Sequence, residues 1–332
     1  MLKFDEASLL LEQENGAALI PEIERIVDEI CLKGYENLFY IGIGGTVLYA
    51  NQMQCMVKEA GSTLPLYVEN AADFCLVGNP HFGKGSVVII ESVSGDTKEV
   101  VAAVEKCKEA GAVVFGFVEK AGSQLYNLCD YVVSRKGAFY YFWYTVTFRF
   151  MKNAGQYPDY DRLFAEIQVS LPKAVIETQK EADEKAKEYA EKYGQEPITY
   201  LVGSGNLEDW AVCYGMCIME EMQWMRTRPV SAANFFHGTL EVVEKDISVI
   251  LMKGEDVTRP EAERAEAFLN RITDKLTVFD TRDYRVDGIS PEFRGILAPM
   301  IMRAAFQRVS VHLEYVRKHP LEIRRYYRHL EY

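Results

Sequence analysis

Short apolar runs alternate with longer segments of helical periodicity through the first half of the chain. The runs lie at 38–41, 66–68, 87–90, 113–117 and 131–133. They are apolar throughout rather than at every second position, which is typical of strands buried on both faces. Between them, apolar residues recur at helical spacing, as at Val100, Val101, Val104 and Cys107. The pattern predicts a parallel sheet with helices on both faces.

The same order of elements begins again in the second half. Strands are predicted there at 198–202, 247–251 and 276–279, with a helix at 259–272. The first of them leads through a glycine turn, 203–206, into a helix, just as the first strand of the chain leads through 42–45. A chain of 332 residues fits two domains of ordinary size. We therefore predict the α/β class, with two tandem domains that are each a parallel-sheet αβα sandwich of flavodoxin-like or Rossmann-like type.

A long charged segment separates the two halves. Residues 159–193 are amphipathic, and Gly194 follows them as a helix stop. We interpret the segment as one linker helix packed between domains, and the alternative is a solvated coiled-coil arm. The expected division is an N-terminal domain at 1–155, a linker at 156–195 and a C-terminal domain with a tail at 196–332.

Charge and composition exclude several function classes. A net charge of -12 disfavours nucleic acid and anionic membranes as partners. No apolar run approaches the roughly 18 residues that a membrane span needs. The first residues are acidic and lack a basic signal-peptide region, so we expect a cytoplasmic location. Seven cysteines without CxxC and five scattered histidines predict reduced thiols, no metal and no cofactor.

The two glycine turns do not match a nucleotide-binding fingerprint. Gly42 and Gly44 begin a G-x-G pattern, but the third glycine is missing, and the turn at Gly203 and Gly205 lacks it as well. The chain also contains no G-x-x-x-x-G-K-[ST] motif. Dinucleotide and nucleotide binding are therefore disfavoured.

A hydroxyl-rich loop follows the third predicted strand. Ser92, Ser94 and Thr97 surround Gly95, and a helix is predicted to begin at about Thr97. Hydroxyl groups, a glycine that allows close approach and the N–H groups of a helix start are suited to a phosphate monoester. The alternative is an ordinary turn in which Thr97 caps the helix. These residues alone leave both interpretations open.

A second candidate constellation lies in the helix after Gly205. Glu220 and Glu221 interrupt an apolar helical pattern, and His237 follows Glu221 by 16 residues. Apolar surroundings would favour the protonated form of a carboxylate and suit it to proton transfer, and histidine titrates near neutral pH. The alternative is a solvated Glu220 and a His237 that caps a helix.

Taken together, five segments resemble one family. They are the turn 44–46, the loop 91–97, the spacing from Glu221 to His237, the segment 254–264 and the tail HPLEIRRYY at 319–327. The chain resembles the sugar isomerase (SIS) domain proteins over essentially its whole length. More narrowly, it is similar to the fructosamine-6-phosphate and fructoselysine-6-phosphate deglycase group, which is related to the isomerase half of glutamine–fructose-6-phosphate aminotransferase.

The resemblance implies two tandem SIS domains and a set of site residues. Those implied to bind the substrate phosphate are Gly45, Thr46, Ser92, Ser94 and Thr97. Those implied in catalysis are Glu221 as the base and His237, which relatives present across a dimer interface. Further substrate contacts are possible at Asn70, Arg325 and Tyr326. No metal is expected at this site, and the partners implied are a phosphorylated sugar-amine substrate and a second copy of the chain.

The expected activity is cleavage of 6-phosphofructosyl amines to glucose 6-phosphate and a free amine. Arg325 stands where the aminotransferase has a Schiff-base lysine, and arginine cannot form an imine. No glutamine amidohydrolase segment precedes the first domain, which also disfavours amination. The alternatives are an aldose–ketose phosphosugar isomerase, an isomerising aminotransferase-like enzyme, or a non-catalytic phosphosugar sensor.

Overall fold

The computed structural model describes residues 1–331, which form two α/β units that each contain one parallel sheet. One unit comprises Leu10–Pro172, and the other comprises Met1–Leu9 together with the chain from Lys173 onward. The predicted fold class is therefore confirmed. The bounds differ from the expected division at two points, because the first nine residues group with the second unit and no separate linker body exists.

The sheet of the first unit has five parallel strands in the order β2-β1-β3-β4-β5. They are β1 (Asn37–Gly42), β2 (Leu66–Asn70), β3 (Ser86–Ser92), β4 (Val113–Val118) and β5 (Tyr131–Val133). The helices of this half are α1 (Glu6–Ala17), α2 (Ile20–Lys33), α3 (Gly45–Glu59), α4 (Ala71–Val77), α5 (Lys98–Glu109), α6 (Gln124–Leu128), α7 (Phe139–Asn153) and α8 (Tyr160–Val169).

Both faces of this sheet are buried, as continuous apolar strands require. Phe39 and Val88 pack in one cluster with Val104 of α5. On the opposite face, Tyr40 lies 5.2 Å from Trp143 of α7 between ring centroids, and its hydroxyl hydrogen-bonds Thr147 at 2.9 Å. Neighbouring residues of β1 therefore support different helix layers, which explains why positions 38–41 of the strand are hydrophobic without alternation.

The second unit has a four-stranded parallel sheet in the order β7-β6-β8-β9. Its strands are β6 (Thr199–Gly203), β7 (Thr227–Ser231), β8 (Ser248–Lys253) and β9 (Leu276–Asp280). Its helices are α9 (Leu171–Tyr193), α10 (Glu208–Cys213), α11 (Ala232–Phe235), α12 (Arg259–Ile272) and α13 (Pro291–Arg317), and a π-helical segment, Tyr214–Glu220, continues α10.

The long charged segment is two helices rather than one. α8 ends at Val169 and α9 begins at Leu171. Pro172 has no N–H to continue the hydrogen-bond ladder of a preceding helix, which places the break there. α9 is not a solvated arm: Asp183 on it accepts hydrogen bonds from Arg308 and His312 of α13, each at 2.8 Å.

A buried ion cluster ties the end of β9 to α12. Both Asp280 carboxylate oxygens accept from Arg259, at 2.9 and 2.6 Å, and Lys253 of β8 lies 3.3 Å away. Burial acts to raise the pKa of Asp280. The hydrogen bonds from Arg259 and from the backbone N–H of Arg282, together with the charges of Arg259 and Lys253, outweigh burial and hold this pKa below its usual value. Asp280 is therefore a buried carboxylate that depends on its cations.

The cysteines form no disulfide within residues 1–331. Burial raises the pKa of both Cys107 and Cys129 to about 12, so these thiols stay protonated and unreactive near neutral pH. No helix in the described part of the chain combines the length and the apolar character that crossing a membrane would require.

Candidate active site

The strand order of the first sheet brings the glycine turn and the hydroxyl-rich loop to one edge. β1 and β3 are neighbours, with Ile41 opposite Ile90, and their carboxyl ends lead into the turn 42–46 and the loop 92–97. The order reverses between these two strands. In open parallel sheets, ligands bind in the crevice that such a reversal creates.

Ser92 and Gly95 shape the loop. The buried Ser92 hydroxyl accepts a hydrogen bond from the Gly95 N–H at 3.0 Å. Gly95 has a φ of 69°, and a Cβ added to it would lie 1.9 Å from the Ser123 hydroxyl oxygen. Only glycine fits this position, both sterically and conformationally. Ser92 therefore folds the loop, and Ser94 lies half-buried at its turn.

Thr97 directly precedes α5, yet its hydroxyl does not cap the helix. The capping interpretation of Thr97 is therefore not what the structure shows. The first turn of α5 keeps N–H groups without intrahelical partners, and the helix dipole favours an anion there. Thr97 therefore lies beside a helix start that favours an anion.

Gly45, Thr46 and Asn70 have structural roles at the same edge. α3 begins at Gly45, and the Thr46 hydroxyl accepts from the Ile43 N–H at 3.0 Å and donates to the Ile43 carbonyl at 3.1 Å. Its single proton is thus used within the turn, which leaves the backbone N–H of Thr46 for a ligand. Asn70, at the end of β2, caps α4 by accepting from the Ala72 N–H at 3.0 Å.

Glu221 follows the π-helical segment in the second unit. Its N–H donates to the Met216 carbonyl five residues earlier, at 3.0 Å. The turn ends at Trp224, which adopts a left-handed φ of 53°. Such π-helical turns are frequent at functional sites, because the extra residue redirects side chains. Here the turn directs both glutamates into a cavity.

The cavity has a volume of about 510 Å³. Its lining residues are Glu220, Glu221, Trp224, Met225, Arg226, Arg324, Arg325, Tyr326 and Tyr327. Arg324 donates from Nε to Glu221 Oε1 at 2.7 Å, and the Glu221 side chain is 32% exposed. One carboxylate oxygen is held by the tail, and the other has no hydrogen bond within residues 1–331. An oriented carboxylate of this kind is suited to take a proton.

The surroundings of Glu221 differ from the apolar environment that the helical pattern predicts. Three arginines line the cavity, two of them from the tail. The pattern of residues 219–225 reports only what lies on the glutamate's own helix. The cations come from 226 and from a segment about a hundred positions away, which local periodicity cannot show.

Arg325 and Tyr326, both predicted as substrate contacts, line this cavity. The Arg325 guanidinium lies 4.2 Å from the Trp224 ring centroid and 5.9 Å from that of Tyr326. Arg324, which sequence reasoning missed, is the residue that contacts Glu221. The only available signal was its position beside Arg325 in the tail.

His237 does not line the Glu221 cavity. It lies exposed in the turn after α11, where its N–H donates to the Asn234 carbonyl at 2.9 Å. Its imidazole has no hydrogen-bond partner in the part of the chain that the structure describes. The structure therefore does not bring the predicted acid–base pair together within the Glu221 cavity.

The second sheet closes its equivalent of the phosphate crevice with a carboxylate. Asp256, in the loop after β8, accepts from the Asn206 N–H at 3.2 Å and from the Thr258 N–H at 2.9 Å. A Cβ added to Gly205 would lie 2.5 Å from an Asp256 oxygen. Asp256 thus occupies the turn where an anion would bind.

The SIS domain family matches residues 32–148, which contain the whole first sheet. This stretch of the chain is similar to the SIS domain. Fructosamine deglycase FrlB of Bacillus subtilis is 27% identical to it, over 94% of this chain and 97% of the relative. Fructoselysine 6-phosphate deglycase of Escherichia coli K12 is 24% identical, over 93% and 90%.

Solved structures resemble the chain over nearly its whole length. A proposed phosphosugar isomerase from Bacillus subtilis superposes with a TM-score of 0.90 at 25% identity, covering 96% of this chain and 99% of that one. The C-terminal domain of glucosamine-fructose-6-phosphate aminotransferase from Francisella tularensis gives 0.76 at 16% identity, covering 94% and 96%. The second comparison shows the shared fold alone.

Proposed function

We propose that this protein is a SIS-domain fructosamine-6-phosphate deglycase. It would cleave 6-phosphofructosyl amines to glucose 6-phosphate and a free amine. The observation that carries this proposal is Glu221, a carboxylate held by Arg324 on one oxygen in a cavity of ligand size. Support also comes from the two deglycases that align with nearly the whole chain.

The chemistry needs one base and a source of protons. Glu221 removes a proton from C1 of the open-chain ketose amine, which gives an enolamine. Protonation at C2 then gives the imine of glucose 6-phosphate. Water adds to C1, the C–N bond breaks, and the amine leaves with a proton while C1 becomes the aldehyde. His237 would move protons on the sugar oxygens or to the leaving amine.

Arg325 supports deglycation over amination. An aminotransferase-type mechanism needs a lysine amine that can form an imine with the ketose. An arginine side chain does not form such an imine, and the Arg325 guanidinium packs against Trp224. The resemblance places it at the position of that lysine, so the amine would be released rather than installed.

The activity is tested by supplying 6-phosphofructosyl-lysine and coupling glucose 6-phosphate release to a dehydrogenase. Fructosyl-lysine without the phosphate is the matched control and should give no signal. Interconversion of fructose 6-phosphate and glucose 6-phosphate without amine release would favour the isomerase instead. Binding without turnover of any sugar phosphate would favour the sensor.

The phosphate is proposed to bind at the hydroxyl-rich loop, with Ser92, Ser94 and Thr97. Thr97→Val keeps the shape of the side chain but removes the hydroxyl, so we expect KM to rise about tenfold with kcat within about twofold. Ser94→Ala should act in the same direction. Steady-state kinetics check both. An unchanged KM in both variants would contradict the assignment of this loop.

We further propose a cytoplasmic homodimer in which each subunit supplies His237 to its partner's site. The exposed imidazole, which has no hydrogen-bond partner within residues 1–331, supports this arrangement. Glu221→Gln and His237→Ala should then complement each other. Random mixing gives half heterodimers, each with one intact site, so about a quarter of wild-type activity should return. Mixing without recovery would place both residues in a site of one subunit.

A further inference from the structure

Two arginines in the Glu221 cavity have no carboxylate partner. Arg324 forms an ion pair with Glu221. Arg226 and Arg325 line the same cavity, and neither lies within ion-pair distance of an acidic side chain among residues 1–331. Glu220 shares this wall but accepts instead from the Thr227 hydroxyl at 2.5 Å. Three arginines and two glutamates therefore line the cavity, and two of the three guanidinium groups form no ion pair within residues 1–331.

Aromatic packing, and not an ion pair, positions Arg325. Its guanidinium lies over the Trp224 ring at 4.2 Å. Trp224 is held in turn by the left-handed turn and by His319, whose ring centroid is 4.4 Å away. Stacking on a ring face leaves the guanidinium N–H donors at its edge available. Arg325 is thus oriented before any ligand arrives.

The arginines of this unit differ in their partners. Acidic residues outnumber basic ones by 49 to 37, so counter-ions are plentiful. Arg259 and Arg308 form ion pairs with carboxylates, whereas Arg264 and Arg271 stack on single phenylalanine rings outside the cavity. Two guanidiniums left without partners on one cavity wall match an anionic ligand group, and arginine forks fit a carboxylate well.

We propose that Arg226 and Arg325 bind a carboxylate on the amine portion of the substrate. This rests on the proposed deglycase function and assigns Arg226 and Arg325 as the residues that distinguish 6-phosphofructosyl amino acids from 6-phosphofructosyl derivatives of neutral amines. The substrate has a second anionic group, the sugar phosphate, which would attract the same arginines. Substrates that share the phosphate and differ only in the carboxylate show which of the two anionic groups the arginines bind.

The experiment compares 6-phosphofructosyl-glycine with 6-phosphofructosyl-glycinamide, which has the same shape without the negative charge. Both are assayed for glucose 6-phosphate release by the wild type, Arg226→Gln, Arg325→Gln and the double variant. Arg271→Gln is the matched control, because Arg271 is exposed on α12 outside the cavity. Calorimetric titration of Glu221→Gln, with and without the arginine changes, measures recognition independently of turnover.

The wild type should prefer the glycine adduct by about 10-fold to 100-fold in kcat/KM. Each arginine change should remove about tenfold of this preference while the glycinamide adduct stays within about threefold, and Arg271→Gln should keep the preference. Equal losses on both adducts would overturn the inference, because they indicate phosphate binding or a structural role. If neither adduct is cleaved, the proposed function is wrong. The calorimetric titrations then still show whether the arginines bind the carboxylate.

Discussion

Glu221→Gln is expected to lower kcat for a 6-phosphofructosyl amine by about 10²–10⁴-fold and to leave KM within about threefold. Glutamine keeps an oxygen that can accept from Arg324 Nε, so the tail contact and the cavity shape should persist. What is lost is the ability to take the C1 proton. The coupled assay of glucose 6-phosphate release measures the effect.

Glu220→Gln is the informative comparison, because this glutamate lines the same cavity but is bound to Thr227. We expect its loss of turnover to be at least tenfold smaller than that of Glu221→Gln. A larger loss in Glu220→Gln, or full turnover in Glu221→Gln, would remove Glu221 from the role of base. Circular dichroism of both variants should match the wild type.

Asp280→Asn is expected to destabilise the second unit by about 3–5 kcal/mol. The change leaves Arg259 and Lys253 beside a neutral amide, and both cations are nearly buried, with 7% exposure each. Arg259 keeps its ion pair with Glu263 and Lys253 keeps its ion pair with Glu266, but both cations lose the buried carboxylate that they share. Removing one partner of a buried ion cluster is costly. Urea denaturation monitored by circular dichroism gives the free energy of unfolding.

The pH dependence of this difference has a defined sign. The pKa of Asp280 is lowered in the folded chain, so its contribution is present above its ordinary value near 3.8 and is lost as the pH falls through the folded value. The difference in free energy of unfolding between the wild type and Asp280→Asn should therefore shrink in acid.

Asp274→Asn is the control, because Asp274 forms an exposed ion pair with Lys245. Its free energy of unfolding should stay within about 0.5 kcal/mol of the wild type. A loss below about 1 kcal/mol in Asp280→Asn would contradict the buried-ion argument.

The buried strands could be predicted because burial on both faces leaves a continuous apolar signal. β1, β3 and β8 contain such runs. β7 (Thr227–Ser231) was missed because it contains Arg228 and Pro229, which an edge strand tolerates. The break between α8 and α9 was also missed, although Pro172 marked it. Charged helical periodicity continues across the break and conceals it.

The candidate site was only partly predictable for a related reason. The hydroxyl-rich loop is contiguous in the chain, so its residue types could be recognised together. The Glu221 cavity is assembled from two segments whose contacting residues are 103 positions apart. Its arginines were therefore not foreseeable from the helix that contains Glu221. The orientation of His237 depends on packing that no local pattern encodes.

Asp256 has a thermodynamic consequence. In the turn after β6, the Asn206 N–H donates to this carboxylate whether or not a ligand is present. The Thr97 side chain makes no capping hydrogen bond at the start of α5, and the phosphate is proposed to bind in this loop. Ligand binding stabilises a fold by RT ln(1 + [L]/Kd). The free energy of unfolding of the first unit should thus rise with phosphosugar concentration. The stability that the turn at Asp256 contributes should not depend on that concentration.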